Sequence, residues 1–162
     1  MKNMEILYMG FKGKNNASFQ LLNKIAGSKA YLTNSFNGCK SDIMKIEHDY
    51  DMAVMFGVDT QLKDTLRIEI VAEYNGIRRG SRIDSNAIRA HFKVGGIQSS
   101  ISKIPTRYLC NAAYYYMLEK TDGRAIFIHI PSVKNMSELM MEKISVCMKN
   151  IEYDLRIHNG AS

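Results

Sequence analysis

The chain has 162 residues, 46% of them hydrophobic and 23% charged, with a formal net charge of +6 at pH 7. This length fits one domain with a substantial core, and no apolar run is long enough to cross a bilayer, so we expect no association with a membrane. Three cysteines, an odd number in a chain this long, argue against a disulfide framework and favour reduced thiols in the cytoplasm.

The positive charge is scattered along the chain except in one basic segment, which contains Arg78, Arg79, Arg82, Arg89 and Lys93. This segment is either a solvated basic loop or a surface that meets an anionic partner. The sequence has no stripe of cations interleaved with aromatic residues and no recognisable nucleic-acid-binding module. We therefore predict no nucleic-acid partner.

Hydrophobic periodicity predicts strands that alternate with helices. In chain order, the pattern predicts a strand over residues 4–9, a helix over 18–25, strands over 51–56 and 66–72, an irregular connection over 74–96, a helix over 110–120, a strand over 124–130 and a helix over 137–151. The tail from about residue 155 is expected to fray. Strands mixed with helices, without an internal repeat, indicate a single α/β domain over residues 1–162.

The three cysteines differ in their surroundings. Cys147 lies on the apolar stripe of the last helix, where a free cysteine acts as a small hydrophobic residue, and Cys39 lies in a predicted loop. Cys110 lies in the first turn of a helix, where the helix dipole and a nearby imidazolium lower the pKa of a thiol. Cys110 is therefore the candidate nucleophile.

The helix that begins near Cys110 and the strand after it bring a thiol and an imidazole to one end of the sheet. A helix of about ten residues covers ~15 Å and a strand of six or seven covers ~20 Å, so the two lengths nearly cancel. His129, late in the strand, therefore returns to the level of Cys110. In an open parallel sheet this end is the carboxyl edge, where α/β folds place their functional sites.

A thiol, an imidazole and a carboxylate are the groups that a cysteine hydrolase needs. The imidazole takes the thiol proton and later protonates the leaving amine, while N–H groups of the first helical turn bind the oxyanion. Glu69 is the candidate to orient His129, because it is a carboxylate within an otherwise apolar strand. Each residue also has a structural interpretation: Cys110 and His129 as core residues, and Glu69 as a partner of Arg67 or a solvent-facing side chain.

A family resemblance rests on four stretches: ILYMGF (6–11), IEIVAEYN (68–75), GIQSSISKIPTRYLCN (96–111) and FIHIP (127–131). They resemble segments of pyroglutamyl peptidase I, the pyrrolidone-carboxylate peptidases. In that family the nucleophilic cysteine lies in a T-A-G-T-aromatic-aliphatic-C-N stretch, the histidine in an F-I-H-(I/V)-P strand and the glutamate in an E-R-V-A-x-N strand. These positions match Cys110, His129 and Glu69.

The resemblance implies a three-layer α/β/α sandwich around a mixed, mainly parallel sheet. It also implies a cytoplasmic homo-oligomer, a dimer or a tetramer, that needs no cofactor. The implied activity removes an N-terminal 5-oxoproline (pyroglutamyl) residue from small peptides through a thioester acyl-enzyme. Such a neutral lactam needs a pocket with apolar walls and a few backbone hydrogen bonds.

The resemblance also implies substrate-binding and oxyanion-binding positions. Substrate-pocket positions of the family match Phe11, Thr33, Gly57, Tyr108 and Leu109. These side chains also suit a hydrophobic core. The family's arginine in A-R-I-P-D-N, which supports the oxyanion, matches Arg79 in an alignment without gaps or Arg82 by local pattern.

The sequence departs from the family around the specificity pocket. The loop at residues 12–15 shortens a P-F-G-G loop, Val58 replaces a glutamine, and residues 104–106 (IPT) replace T-A-G. The segment that covers the active site and the helix after it are expected to be largely missing between about residues 84 and 95. The triad is kept, and the specificity elements are reduced.

Three hypotheses follow from these observations. The first is a cysteine peptidase that removes pyroglutamyl residues, and the second is a related hydrolase with another small amide or peptide as substrate. The third is a non-catalytic binding or assembly protein whose basic segment meets an anionic partner. Release of a fluorophore from a pyroglutamyl-arylamide separates the first hypothesis from the other two.

Overall fold

The computed structural model describes residues 3–160, with the side chains of residues 3–158. Strands and helices alternate along this part of the chain. In order they are β1 (Ile6–Phe11), α1 (Ala17–Lys24), β2 (Ser28–Leu32), α2 (Phe36–Met44), β3 (Met52–Val58), β4 (Thr65–Glu69), β5 (Val71–Tyr74), β6 (Ile77–Gly80), α3 (Ser85–Val94), β7 (Gln98–Ser102), α4 (Tyr108–Lys120), β8 (Ala125–Ile130) and α5 (Glu138–Gly160).

Six of the strands form one sheet in the order β2-β1-β3-β8-β4-β7, and β5 and β6 form a separate antiparallel hairpin. Neighbouring strands of the large sheet are parallel, except that β4 runs antiparallel to β8. Every residue of β1 and β8 is buried, as expected for central strands that are covered on both faces. The mixed, mainly parallel sheet implied by the resemblance is confirmed.

Each face of the sheet packs against helices. Helices α1, α3 and α5 cover one face, with Phe56, Ile128 and Ile144 in its core. Helices α2 and α4 cover the other face, where Tyr114 and Phe127 pack with their ring centroids 5.6 Å apart. The chain therefore forms the expected α/β/α sandwich, and the candidate thiol lies on the α4 face.

Several predicted elements are confirmed close to their expected bounds. Helix α1 begins after Asn16, whose side chain accepts a hydrogen bond from the N–H of Ser18 at 2.9 Å. Helix α4 and strand β8, which bring Cys110 and His129 to one edge, are also present. No helix among the described residues has the length and apolar character to cross a membrane.

The single strand predicted over residues 66–72 is wrong, because the chain leaves the sheet after Glu69. Strand β4 ends there, and β5 begins at Val71 and pairs with β6 instead. The hairpin turn is Asn75-Gly76, whose φ values of 50° and 75° suit a two-residue turn between twisted strands. An Asn-Gly pair is a signal for a hairpin turn, whereas the apolar pattern over residues 66–72 favours one continuous strand.

The irregular connection predicted over residues 74–96 is also wrong. It contains β6 and the ten-residue helix α3, whose first turn is capped by Asp84 through the N–H of Ala87 at 3.1 Å. Ile88 and Phe92, four residues apart, bury one face of this helix. The helix expected to be missing between residues 84 and 95 is therefore present.

Three further elements were not predicted: β2, α2 and β7. Cys39 consequently lies in helix α2 and is fully buried, instead of lying in a loop. Helix α5 continues to Gly160, so residues 155–160 are helical where the sequence predicts a frayed tail, and residues 161–162 lie outside the described residues. Cys147 is buried on α5, as predicted.

Candidate active site

The candidate site lies where β3 and β8 end and α4 begins. These two strands are parallel, and their register places Gly57 directly beside His129. Helix α4 starts at Tyr108, so Cys110 lies in its first turn, as predicted. Arg107, at the N-cap position, makes no side-chain hydrogen bond to this turn.

The sulfur of Cys110 packs directly against the backbone of Gly57. A Cβ atom built on Gly57 would lie 2.8 Å from Cys110 Sγ and 2.6 Å from Cζ of Phe127, which is closer than side-chain carbons pack. Glycine is therefore required for the thiol to approach the sheet at the level of His129. Gly57 therefore has both the sulfur and its register partner His129 as neighbours, and among the described residues no hydrogen bond joins Cys110 to His129.

Glu69 and His129 form a buried pair. His129 Nδ1 lies 2.9 Å from Glu69 Oε1, and the two residues are 4% and 1% exposed. An ionised carboxylate can only accept, so Nδ1 carries the hydrogen and Nε2 is left as the basic nitrogen. The predicted orientation of His129 by Glu69 is thus present as a hydrogen bond.

The strand register explains why a carboxylate meets the histidine here. On the antiparallel pair of β4 and β8, Glu69 lies opposite Phe127 and Arg67 lies opposite His129. Side chains two residues apart on a strand point to the same face, so Arg67 and Glu69 both face α4. Leu66 and Ile68 point to the opposite core.

The structure adds two charged residues that sequence analysis did not assign to the site. Arg67 Nε donates to Glu69 Oε1 at 2.5 Å, and a terminal nitrogen of Arg67 donates to Asp59 Oδ2 at 2.7 Å. Asp59 follows the end of β3, and its Oδ1 accepts from the N–H of Gln61 at 2.9 Å. Glu69 therefore pairs with both Arg67 and His129, so its pairing with Arg67 and its orientation of His129 occur together.

Two hydrogen-bonded contacts fix the start of α4 relative to β4 and β5. The side chain of Asn111 accepts from the N–H of Glu73 at 3.0 Å and donates to its carbonyl at 2.7 Å. The Tyr114 hydroxyl donates to the carbonyl of Glu69 at 2.7 Å. Two residues that follow Cys110 in α4 thus connect this part of the helix to the strands near its candidate partners.

The environment of Cys110 differs from the sequence-based expectation. Burial raises the pKa of its thiol to about 12, and the negative charge of Asp59 acts in the same direction. The lowered pKa expected for a thiol in a first helical turn is therefore wrong for the free protein. The resting sulfur is a thiol, and it needs a base at the moment of attack.

This raised pKa predicts the pH dependence of alkylation. The thiolate fraction of a group with a pKa of about 12 grows tenfold per pH unit, so chloroacetamide labelling of Cys110 should rise steadily between pH 7 and pH 10. N-acetylcysteine amide, treated in parallel, should approach a plateau near its ordinary pKa of about 8.5. Peptide mapping by mass spectrometry gives the rate at Cys110, and a plateau near neutral pH would instead indicate a thiolate–imidazolium pair.

The other predicted pocket residues differ in their burial and contacts. Phe11 is buried at the end of β1, and Leu109 packs partly buried against the α4-side core. Thr33 follows β2 and accepts a hydrogen bond from Lys12 Nζ at 3.2 Å. Tyr108 is 81% exposed with a φ of 72°, an uncommon backbone conformation for a bulky residue, two positions before Cys110.

Neither candidate oxyanion arginine lies at this edge of the sheet. Arg82 donates to Asp122, which precedes β8, whereas His129 lies near the other end of that strand. Arg79 pairs with Glu119 at 3.1 Å and packs over the ring of Tyr115, and Glu119 lies about 13 Å along α4 from Cys110. The structure therefore does not bring Arg79 or Arg82 to Cys110.

Comparison by sequence gives no relatives: no protein-family model matches this chain, and no curated protein matches it significantly. Comparison by structure does. A mutant pyrrolidone carboxyl peptidase from Pyrococcus furiosus has a TM-score of 0.80 at 19% identity, covering 94% of this chain and 100% of that chain. The enzyme from Fervidobacterium islandicum gives 0.79 at 18% identity, covering 94% and 98%, and Bacillus amyloliquefaciens pyroglutamyl peptidase I gives 0.76 at 14%, covering 89% and 94%. This chain therefore has the fold that these peptidases share, as the four sequence stretches implied.

Proposed function

We propose that this protein, which has the pyrrolidone carboxyl peptidase fold, is a cysteine peptidase that removes N-terminal pyroglutamyl residues from small peptides. The main support is the Glu69–His129 hydrogen bond, formed beside the strand position against which Cys110 packs. A carboxylate, an imidazole and a thiol in this spatial order have the roles of a nucleophile, its base and the group that orients the base. The fold alone does not give a function, so the side-chain arrangement is needed for the assignment.

In the proposed acylation step, His129 Nε2 takes the proton from the Cys110 thiol as the sulfur attacks the carbonyl carbon of the pyroglutamyl residue. The new C–S bond gives a tetrahedral oxyanion. His129 then donates this proton to the leaving nitrogen, the C–N bond breaks, and the shortened peptide departs with a free amino terminus. The pyroglutamyl group remains bound to Cys110 as a thioester.

Hydrolysis of the thioester reverses these roles. His129 takes a proton from water as its oxygen attacks the thioester carbonyl, and the proton returns to the sulfur when the C–S bond breaks. The product is free 5-oxoproline. Throughout both steps Glu69 holds Nδ1–H and stabilises the imidazolium that forms transiently.

Backbone N–H groups of the first turn of α4 are the proposed oxyanion donors. The first four N–H groups of any helix lack an intrahelical carbonyl acceptor, so those of α4 can donate to an oxyanion. The N–H of Cys110 itself is the nearest of these to the reacting sulfur. We assign no oxyanion role to Arg79 or Arg82, because their guanidinium groups are held by Glu119 and Asp122.

The test uses freshly reduced protein and a pyroglutamyl-arylamide, with prolyl-arylamide as the control substrate. We expect fluorophore release from the pyroglutamyl substrate that is lost in Cys110→Ala and in His129→Ala. Cys147→Ala is the matched control, because Cys147 is buried on α5, which packs on the opposite face of the sheet, and this variant should keep its activity. No turnover by the unsubstituted protein would overturn the proposal, and turnover of another small amide would redirect it to that substrate class.

A further inference from the structure

Arg67 lies in a line of four ionisable side chains at the candidate site. Its guanidinium donates to Glu69 and Asp59, and one of its terminal nitrogens lies 3.5 Å from His129 Nδ1. The Arg67 side chain is 25% exposed, and the Asp59 and Glu69 side chains are 24% and 2% exposed. Strand β4 could form without a paired, partly buried guanidinium at this position, so the contacts of Arg67 indicate a role at the site.

We propose that Arg67, anchored by Asp59, is a positioning residue that keeps Glu69 ionised and sets the proton affinity of the Glu69–His129 pair. This inference rests on the proposed function, since it concerns the same site. It does not require Arg67 to touch the substrate.

Glu69 needs the guanidinium because its carboxylate is almost fully buried. Oε1 accepts from both His129 and Arg67, whereas Oε2 is buried and has no hydrogen-bond partner among the described residues. A buried carboxylate with so few donors favours its protonated form unless an opposite charge is close. Arg67 supplies this charge, and a protonated Glu69 would no longer be the acceptor that fixes Nδ1–H.

Asp59 holds Arg67 in place from the other side. Although burial alone would raise the pKa of Asp59, the Gln61 N–H and the Arg67 guanidinium hold it below its ordinary value. Burial likewise opposes the charge of Arg67, yet the bonds to Glu69 and Asp59 raise its pKa above the usual range. Asp59 and Arg67 therefore both stay ionised at neutral pH.

The charges facing His129 are Arg67 and Glu69 from β4 and Asp59 from the end of β3, with the neutral Cys110 thiol from α4. Together Asp59, Arg67 and Glu69 carry a net charge of about −1, and the imidazolium of His129 brings the total of the four groups to zero. Removing Arg67 leaves the two carboxylates of Asp59 and Glu69 beside the histidine, so the Glu69–His129 pair should bind a proton at higher pH. Removing the charge of Asp59 should have the opposite effect.

These opposite signs distinguish the proposal from a merely structural role. In Arg67→Met, the acidic limb of the kcat/KM profile should move to higher pH by about one pH unit or more. In Asp59→Asn it should move to lower pH. Arg67→Lys keeps the charge without the planar two-sided contact, so we expect a loss of about tenfold in kcat with little movement of the limb.

The same shifts are measured independently of turnover by NMR titration of the His129 ring in the full-length Cys110→Ala protein, alone and combined with each substitution. Opposite displacements of the ring titration in Arg67→Met and Asp59→Asn are the expected result. Equal displacements, or none, would overturn the inference. If Arg67→Met does not fold, the expected result is a displacement to lower pH in Asp59→Asn with little displacement in Arg67→Lys, and equal displacements in these two variants would overturn the inference. Opposite displacements in a protein that hydrolyses no pyroglutamyl substrate would support the charge arrangement while rejecting the proposed function.

Discussion

Replacing Gly57 with alanine is expected to lower the free energy of unfolding by about 1–3 kcal/mol and kcat/KM by about 100-fold. The added Cβ would lie 2.6 and 2.9 Å from two ring atoms of Phe127 and 2.8 Å from Cys110 Sγ. The Phe127 ring has little room to yield, because it is 1% exposed and packs between Tyr114 and His129. Relief of the clash must therefore displace the thiol or the ring that contacts the histidine.

Denaturant unfolding and initial-rate kinetics test this prediction. Gly80→Ala is the matched control, because Gly80 is also a strand glycine but a Cβ there would meet nothing closer than the Ile70 carbonyl at 3.8 Å. We expect the control to change stability by no more than about 1 kcal/mol. Equal effects of the two substitutions would show that Cys110 does not need the space above Gly57.

The placement of Cys110 and His129 at one edge of the sheet was predictable because it depends on short-range regularities. One helix and one strand of similar length separate Cys110 from His129, so their ends must return to one edge of the sheet. Glu69 was noticeable as a carboxylate among apolar residues, and burial of such a group requires a partner. Patterns within about twenty residues of chain were sufficient to place Cys110 and His129, two of these three residues, at one edge of the sheet.

The supporting contacts were not predictable in the same way. Arg67 meets His129 only because β4 runs antiparallel to β8, an exception in a mainly parallel sheet. The predicted strand over residues 66–72 contained no signal for that direction. Asp59 is eight residues from Arg67 in a loop, where neither spacing nor periodicity indicates contact.

The errors in the sequence analysis have physical causes of their own. Arg79 matches the family's arginine in an alignment without gaps and Arg82 matches it by local pattern, but the Asn75-Gly76 turn sends β6 back along β5, where Glu119 and Asp122 hold the two guanidinium groups. The pKa of Cys110 was expected to fall from its position in a first turn. Burial in the α4-side core, which sequence position alone does not reveal, has the larger effect and raises it.

Glu69→Gln should lower kcat by about 10²- to 10⁴-fold, by analogy with the loss of the orienting carboxylate in other triads. Glutamine has nearly the same shape, but its neutral amide cannot stabilise the imidazolium that forms on His129. The amide also places a donor where the buried Oε2 has no partner, and it leaves Arg67 with Asp59 as its only carboxylate. We expect the free energy of unfolding to fall by about 1–3 kcal/mol, the cost of an unsatisfied buried polar group.

Glu73→Gln is the matched control for this substitution. Glu73 lies on β5, four residues from Glu69, and its partly exposed carboxylate pairs only loosely with Arg78 at 3.6 Å. This variant should retain both stability and turnover, because exposed ion pairs contribute at most about 1 kcal/mol. The comparison uses kcat for the pyroglutamyl-arylamide and denaturant unfolding at pH 7. If Glu69→Gln turned over substrate as fast as Glu73→Gln, Glu69 would be a structural partner of Arg67 and not the residue that orients His129.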